Sequence, residues 1–577
     1  MKHLSRILAL ALAVLMLSSA ALAEIPAYLN VGKTPLVNED ITLTVALRVH
    51  DNTQKPDESW MAAYIEKVLG INVDIEMHFV SAARDESIAL MMADNDLPDL
   101  ILGAGFTSSE LTQYGAINGQ LLDLAPYITA ENAPNLTAIY AAHPEYVSEL
   151  TNPDGAMYSV GFISEDATGT TGWRMFYNYD WLEACNLEVP TTLDEFLNML
   201  RAFKKYGAEN GIENCTPFGG NYARYNATYF ILNALGFNHT HNSGQQRSFD
   251  TDIMLRNGKI VMPAYDREML PVYLEFMHTL YEEGLMEQDY WTLDKETTKA
   301  HLASGRYGTF SEVPGLYGGI EFGQQWFGVQ PLTSEYNATP FWPNYSQQTI
   351  GAAVVSAKTE HPELCVAFLD HFYGEDVYRM FTNSGNTGPS VNQPELWLDK
   401  TTGWFLNENG EHVTQEYLDN ASNYSAYIYW KYENLYLWHP NSFGMMRNDG
   451  LGVLIDENGN AVSTYPAAVG ETLMEQAKVR KQANNTTMQK DLSLYYGMNS
   501  YRTSEFTPTV CYFDEDTTLR IDELKTLIDE YANAEIAKFI MGTRPLSELD
   551  DYFAEMDKLN AAEYVQYYAD YYASMQK

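Results

Sequence analysis

Apolar and polar positions change period repeatedly along this chain, and the changes set out alternating strands and helices. Ile41 to His50, ITLTVALRVH, alternates and is rich in β-branched residues, which predicts a strand. After a polar loop from Asp51 to Pro56, Trp60, Met61, Tyr64, Ile65, Val68 and Leu69 share one helical face, closed by Gly70. Val73 to Val80 is the next strand, Arg84 to Asn95 the next helix, and Asp99 to Leu102 a short apolar strand ending at Gly103-Ala104-Gly105. This order predicts the α/β class, with a mostly parallel, doubly wound sheet and helices on both faces. Ligands of such sheets bind beyond the carboxyl ends of the strands. His50, Asp51, Asn52, Gly103 and Gly105 are therefore expected at a ligand.

The middle of the chain repeats the alternation. Gly172 to Lys205 reads as a strand, a short helix, an extended Glu-Val-Pro and a longer helix. Thr192 and Glu195 form a capping box for that helix, and Leu193, Phe196, Leu197, Leu200 and Phe203 recur at helical spacing. Thr216 to Asn221 is a strand with a Gly-Gly end, Tyr225 to Leu235 a helix, and Arg256-Asn257-Gly258-Lys259 a hairpin turn. Helices are expected at Arg267 to Glu283 and Thr297 to Ser304, before a strand at Gly308 to Glu312. Asn221, Tyr222 and Glu312 then stand at strand exits. Leu406 to Gly410 and Asp456 to Asn460 read as hairpin turns, and the tail as helices around Leu524 to Tyr531 and Leu546 to Met556. Tyr564, Tyr567, Tyr568, Tyr571 and Tyr572 fall at i, i+3, i+4, i+7 and i+8, a packing stripe.

At 577 residues, 46% of them hydrophobic, the chain can form two or more cored domains. Lys2 and Arg6, the apolar run Ile7 to Leu17 and Ala21-Leu22-Ala23 have the form of an export signal, so residues 1–23 are expected to be removed. No later apolar run approaches the roughly 20 residues that span a bilayer. Losing Lys2 and Arg6 takes the net charge from −42 to about −44, a surface that repels phosphate backbones and excludes nucleic acid as a partner. Cys185, Cys215, Cys365 and Cys511 have no CxxC spacing. Export permits disulfides, while the apolar helical settings of Cys185 and Cys365 favour free thiols.

Several segments together resemble one family. Tyr179, Asp180, Trp181 and Leu182, followed by Leu187, Val189, Pro190, Thr191, Thr192, Asp194, Glu195 and Phe196, resemble a segment of the extracellular solute-binding proteins that feed ABC sugar importers. Met91 to Ile101, with its acidic turn and Leu-Pro-Asp, is similar to a scaffold segment of that family, as is Gly542 to Ala573 to its C-terminal helices. Ala156 to Val160 and Thr349 to Ser356 resemble its two crossings between lobes, and Glu363 to Phe381 the helix after the second. The resemblance implies a two-lobed, periplasmic-binding-protein-like fold of type II. Its expected parts are lobe one over 24–161 and 349–410, lobe two over 162–348, and a helix-rich 411–577 packing on both. It also implies hinges at Tyr158 to Phe162 and Thr349 to Val354, an oligosaccharide ligand, permease subunits as partners and a monomer. Ser18 to Glu24 lacks the lipidated cysteine that Gram-positive members carry, so a secreted or periplasmic location is expected.

No nucleophile elbow, HExxH or P-loop is present, and a binder rather than an enzyme is the expectation. Some relatives bind calcium in an Asp-x-Asn-Gly-Asn-Gly-x-x-Asp loop. Gly207 to Cys215 keeps too few hard oxygen ligands for that, so no metal and no cofactor are expected. The 41 Tyr and 10 Trp are the informative excess, because flat C–H faces of sugar rings stack on aromatic side chains. Trp60, Trp173 and Trp342, beside loops or crossings, are candidate platforms, with Trp430 and Trp438 in the dense run Asn423 to Trp438; Trp181 is assigned to the core. A binder of peptides or other solutes on the same scaffold, and a secreted glycan hydrolase, stay open as alternatives.

Overall fold

The computed structural model describes residues 25–49, 56–58, 62, 65–164, 175–222, 228–239, 251–311, 314, 322–323, 325–344, 347–374, 377, 447–448, 472–482, 501–506 and 510–575. The turns expected at Leu406 to Gly410 and Asp456 to Asn460 lie outside these residues, as does the aromatic run Asn423 to Trp438. The chain forms two compact units, passing from the first to the second after Ser164 and returning at Gln348. Of the described residues in the expected 411–577 segment, Arg447–Asn448 joins the first unit's sheet and those from 472 onward belong to the second unit.

The first unit is built on six strands in the order Arg447–Asn448, Val160–Ser164, Gln348–Val355, Leu100–Leu102, Ile41–Arg48, Ile71–Phe79. The last three run parallel, as the β-α-β-α-β pattern predicts. Gln348–Val355 is antiparallel to both its neighbours, so the sheet is mixed. Its expected hinge residues are therefore held in a ladder: Thr349 pairs with Phe162 and Ala353 with Val160. The Gln348 side-chain amide donates to Tyr146 O at 3.0 Å, and the Tyr373 hydroxyl donates to Gly161 O.

The second unit contains four strands in the order Trp326–Gly328, Phe176–Asn178, Tyr307–Phe310, Thr216–Phe218. Only the last pair is parallel, which corrects the expectation of a mostly parallel sheet in this lobe. The helix Leu193–Glu209 buries Leu193, Phe196, Met199, Leu200 and Phe203 against it. The Thr192 side chain caps this helix at the Glu195 N–H, but Glu195 reaches back to the Thr191 N–H and hydroxyl, both at 2.8 Å, one residue earlier than a simple capping box. Trp181 is buried edge-on against Phe203, with ring centroids 5.4 Å apart. In the tail, Glu515–Ile540 packs on Leu270–Glu282 and on Ala561–Met575. The tyrosine stripe faces inward, with Tyr564 donating to Thr251 O and Tyr568 and Tyr571 edge-on to Phe513.

The four cysteines are free thiols, Cys215 and Cys365 buried, and burial pushes the Cys365 thiol well up from its usual range. Among the described residues no helix is long and apolar enough to cross a membrane.

One buried charge stands out in the first unit. Asp370, 3% exposed, accepts from the Leu136 N–H at 2.7 Å and from the Asn135 side chain at 2.9 Å, so it caps the start of the helix Pro134–Ala142. Burial raises its pKa to about 6 against those hydrogen bonds, while burial lowers neighbouring His371 to about 4. The native state thus holds the Asp370 proton more tightly than the unfolded chain, and its contribution is lost as pH rises through about 6. His371 acts oppositely, its contribution being lost as pH falls from the unfolded value towards about 4. The two slopes oppose each other over pH 4 to 6. Denaturant unfolding of Asp370→Asn should show stability relative to wild type rising by up to about 3 kcal/mol across that window, at about 1.4 kcal/mol per pKa unit. A constant difference would remove Asp370 as a titrating group. Trp181→Ala should cost about 3–5 kcal/mol in the same assay, as for a core aromatic.

Candidate functional site

In each unit the loops that leave the parallel strands are the positions from which side chains can reach a ligand. In the first unit the strand Leu100–Leu102 runs into Gly103, whose N–H is taken by Ala352 O at 2.7 Å. Gly103 and Gly105 both have positive φ, 70° and 65°. Gly105 is exposed and a Cβ there would meet nothing within 4 Å, so this backbone is open to an approaching molecule. Phe106 turns inward and its N–H donates to Gly351 O at 3.1 Å. Gly351 has φ +71°, and a Cβ on it would lie 2.1 Å from Phe106 O, so only glycine fits.

Arg84 fastens the same loop from below. It donates to Ala104 O at 2.9 Å and forms two hydrogen bonds to Glu110 at 2.5 and 2.7 Å. Burial opposes the Arg84 charge, and Glu110 together with Asp85 more than offsets it. Glu110 also accepts from the Thr107 N–H while the Thr107 hydroxyl accepts from the Glu110 N–H, a complete capping box on Ser108–Leu111. Gly103 is thus spent on the sheet, and Gly105 is the exposed tip of a rigid loop.

In the second unit the strand Thr216–Phe218 leaves through Gly219, Gly220, Asn221 and Tyr222. Asn221 was expected to touch a ligand. It is wholly buried, and its amide donates to Leu293 O at 3.0 Å and to the Thr298 hydroxyl at 2.8 Å. Its role is to hold the loop to the start of the helix Lys295–Ala303. Tyr222, half-buried, donates its N–H to Tyr290 O at 2.9 Å. Trp342 was expected as a ring platform and is instead wholly buried, its ring 6.0 Å from that of Phe230 and its strand Trp342–Asn344 paired with Arg502–Phe506. This corrects its assignment to an exposed site, because the flanking segment packs it into the core.

His50, Asp51, Asn52, Trp60, Trp173, Glu312, Trp430 and Trp438 lie outside the described residues.

Pattern reading missed one exit. Phe218 makes an isolated parallel bridge to Met286 and its N–H donates to Leu285 O, so Leu285 to Glu287 lies along the edge of Thr216–Phe218. This segment leaves through Gln288 to Trp291. Trp291 is half-buried, its ring within 28° of parallel to Tyr222 at 6.4 Å and edge-on to Tyr290 at 5.3 Å. The signal was Gly284, which ends the preceding helix at φ +62° before three residues too few to show alternation. Glu287, buried, anchors the segment by accepting from Arg306 and Tyr307, both at 2.5 Å, and lies 2.9 Å from His301 Nδ1. Among the described residues no group of three or more His, Cys, Asp or Glu could hold a metal ion.

No family model matches the sequence. It is 26% identical over 263 residues to the fructooligosaccharide ABC transporter substrate-binding protein FusA of Streptococcus pneumoniae, covering 44% of this chain and 46% of that protein. It is 26% identical over 164 residues to the melibiose/raffinose/stachyose-binding protein MelE of Bacillus subtilis, covering 28% of this chain and 33% of that protein. The chain resembles substrate-binding proteins of oligosaccharide ABC transporters. By sequence it spans under half the length of these curated relatives. The solved structure of S. pneumoniae FusA in complex with kestose superposes with a TM-score of 0.65 at 20% identity, covering 93% of this chain and 99% of that one. An extracellular solute-binding protein from Bifidobacterium longum subsp. infantis superposes with a TM-score of 0.65 at 17% identity, covering 94% and 99%. The fold is the two-domain solute-binding fold.

The geometry around Gly351 makes a direct test of the first unit's loop. Gly351→Ala forces a side chain into the Phe106 backbone at a left-handed φ and should cost about 3 kcal/mol or more. Gly105→Ala meets only the left-handed penalty and should cost about 1–2 kcal/mol. Equal costs in urea unfolding would mean that Gly351 does not pin the loop.

Proposed function

We propose that this protein is the extracellular substrate-binding component of a carbohydrate ABC importer, capturing an oligosaccharide and handing it to permease subunits. The observation that carries this reading is the sequence similarity to FusA and MelE, named for fructooligosaccharide and for melibiose, raffinose and stachyose. The second unit supports it, since one strand-exit region offers half-exposed aromatic rings beside an amide-braced backbone. Aromatic faces take the apolar side of a sugar ring, and rim polar groups take its hydroxyls. The amino-terminal sequence supports export, and the strongly negative charge suits a protein held in solution outside the cell. Capture calls for binding alone, so the reading assigns no catalytic residue and no cofactor.

Kestose and raffinose are the first probes. Each bound sugar should raise the melting temperature, by the equivalent of about 2.7 kcal/mol at a hundredfold excess over Kd, because a ligand held only by the native state stabilises it by mass action. Chromatography after prolonged incubation should return the sugar intact. Continuous release of shorter sugars would replace this reading with a glycan hydrolase, and stabilisation by peptides but by no glycan would replace it with a peptide binder.

A further inference from the structure

We infer that Trp291, with Tyr222 beside it, is the platform on which the second unit seats a pyranose ring of the ligand. The inference rests on the carbohydrate reading and adds the residue and the kind of ring. It begins from exposure. Among the described residues Trp181, Trp326 and Trp342 are buried in the core, and Trp291 is the tryptophan that keeps part of its surface open. A wholly buried indole serves packing, whereas one left half-open at a strand exit forgoes burial that the fold could use.

Position adds a second argument. Trp291 follows Met286, which makes a parallel bridge to Phe218 at the edge of Thr216–Phe218, a strand itself parallel to Tyr307–Phe310. It therefore stands at the carboxyl end of parallel strands, the end at which α/β sheets bind ligands.

Preorganisation is the third. Tyr222 N–H bonds Tyr290 O, and the Asn221 amide bonds Leu293 O, so the residues on either side of Trp291 are tied to consecutive residues of the neighbouring exit loop. The buried Glu287, with Arg306, Tyr307 and His301 around it, fixes the root of the same segment. The ring is thus held before a ligand arrives, which reduces the ordering cost of binding. Tyr222, Tyr281 and Tyr290 flank the indole with centroids at 6.4, 6.4 and 5.3 Å, and the part of Trp291 that stays open between them is the surface offered to a ring. A pyranose presents a flat patch of C–H groups that matches such a face, and a puckered furanose presents less of one. The platform should accordingly take the glucosyl unit of kestose or a pyranosyl unit of raffinose.

The test uses the full mature chain. Saturation-transfer NMR of kestose with wild type should show the glucosyl C–H protons most strongly saturated. Trp291→Ala should weaken kestose and raffinose binding by roughly tenfold to a thousandfold and abolish that ranking, as for an aromatic hot spot. Trp291→Tyr should restore most of both, and circular dichroism of the ligand-free variants should match wild type. If Trp291→Ala does not fold, wild type and Trp291→Tyr decide the question through the proton ranking alone. Fructosyl protons dominating in wild type, or unchanged affinity in a folded Trp291→Ala, would overturn the platform and leave the carbohydrate reading standing. Wild type that binds no glycan would overturn the reading itself, and this inference with it.

Discussion

The antiparallel pairing of Val160–Ser164 with Gln348–Val355 is the constraint on which the rest of the structure depends. Two stretches nearly two hundred residues apart in sequence join one sheet, and the chain between them belongs, with residues 463–577, to the second unit. The loop closure costs entropy that grows only slowly with length, and the ladder pairs at Gln348, Thr349 and Ala353 in a buried sheet can meet it. The returning strand does a second job at Gly351, where its backbone comes close enough to bond Phe106 and thereby shapes the exit loop ending the Leu100–Leu102 strand. Connectivity and the geometry of a candidate ligand-facing loop are consequences of the same strand.

The second unit solves its positioning problem differently. Its sheet is mixed, and the exits on its parallel side are fixed by side chains more than by ladder bonds. Asn221 spends its amide on a neighbouring loop and a helix start. Glu287 spends a buried carboxylate on a guanidinium and a phenol. A buried acid of this kind is costly unless fully partnered, and removing one partner would be more harmful than its own bond suggests. Such networks hold a place for neighbouring residues, here the rings of Tyr222 and Trp291.

Much of the scaffold was legible in the chain. The parallel core of the first unit followed from alternation in Ile41 to His50 and the apolar strand before Gly103, and the long helix after Pro190 from its spacing and cap. Tyr564, Tyr567, Tyr568 and Tyr571 of the tyrosine stripe, and Trp181, were also placed correctly in packed faces. These features are local, since period and capping are properties of neighbouring residues in one segment. The candidate site was less legible for the same reason. Asn221 and Trp342 have the residue types of ligand contacts and stand beside loops, yet both are buried by partners from distant parts of the chain.

What the sequence alone determined, then, is the order and type of the elements, the charge of the surface and the family resemblance, each carried by short-range pattern. Tertiary structure decided which tryptophans face inward, which strand pairs run antiparallel, and that Met286 bridges the edge of Thr216–Phe218 at all. Three residues after a glycine-stopped helix contain too little pattern to announce a pairing, and only the waiting edge of Thr216–Phe218 provides one. Trp291 shares that dependence: its sequence neighbours say nothing of exposure, and its position comes from bonds that Asn221 and Tyr222 make from seventy residues away.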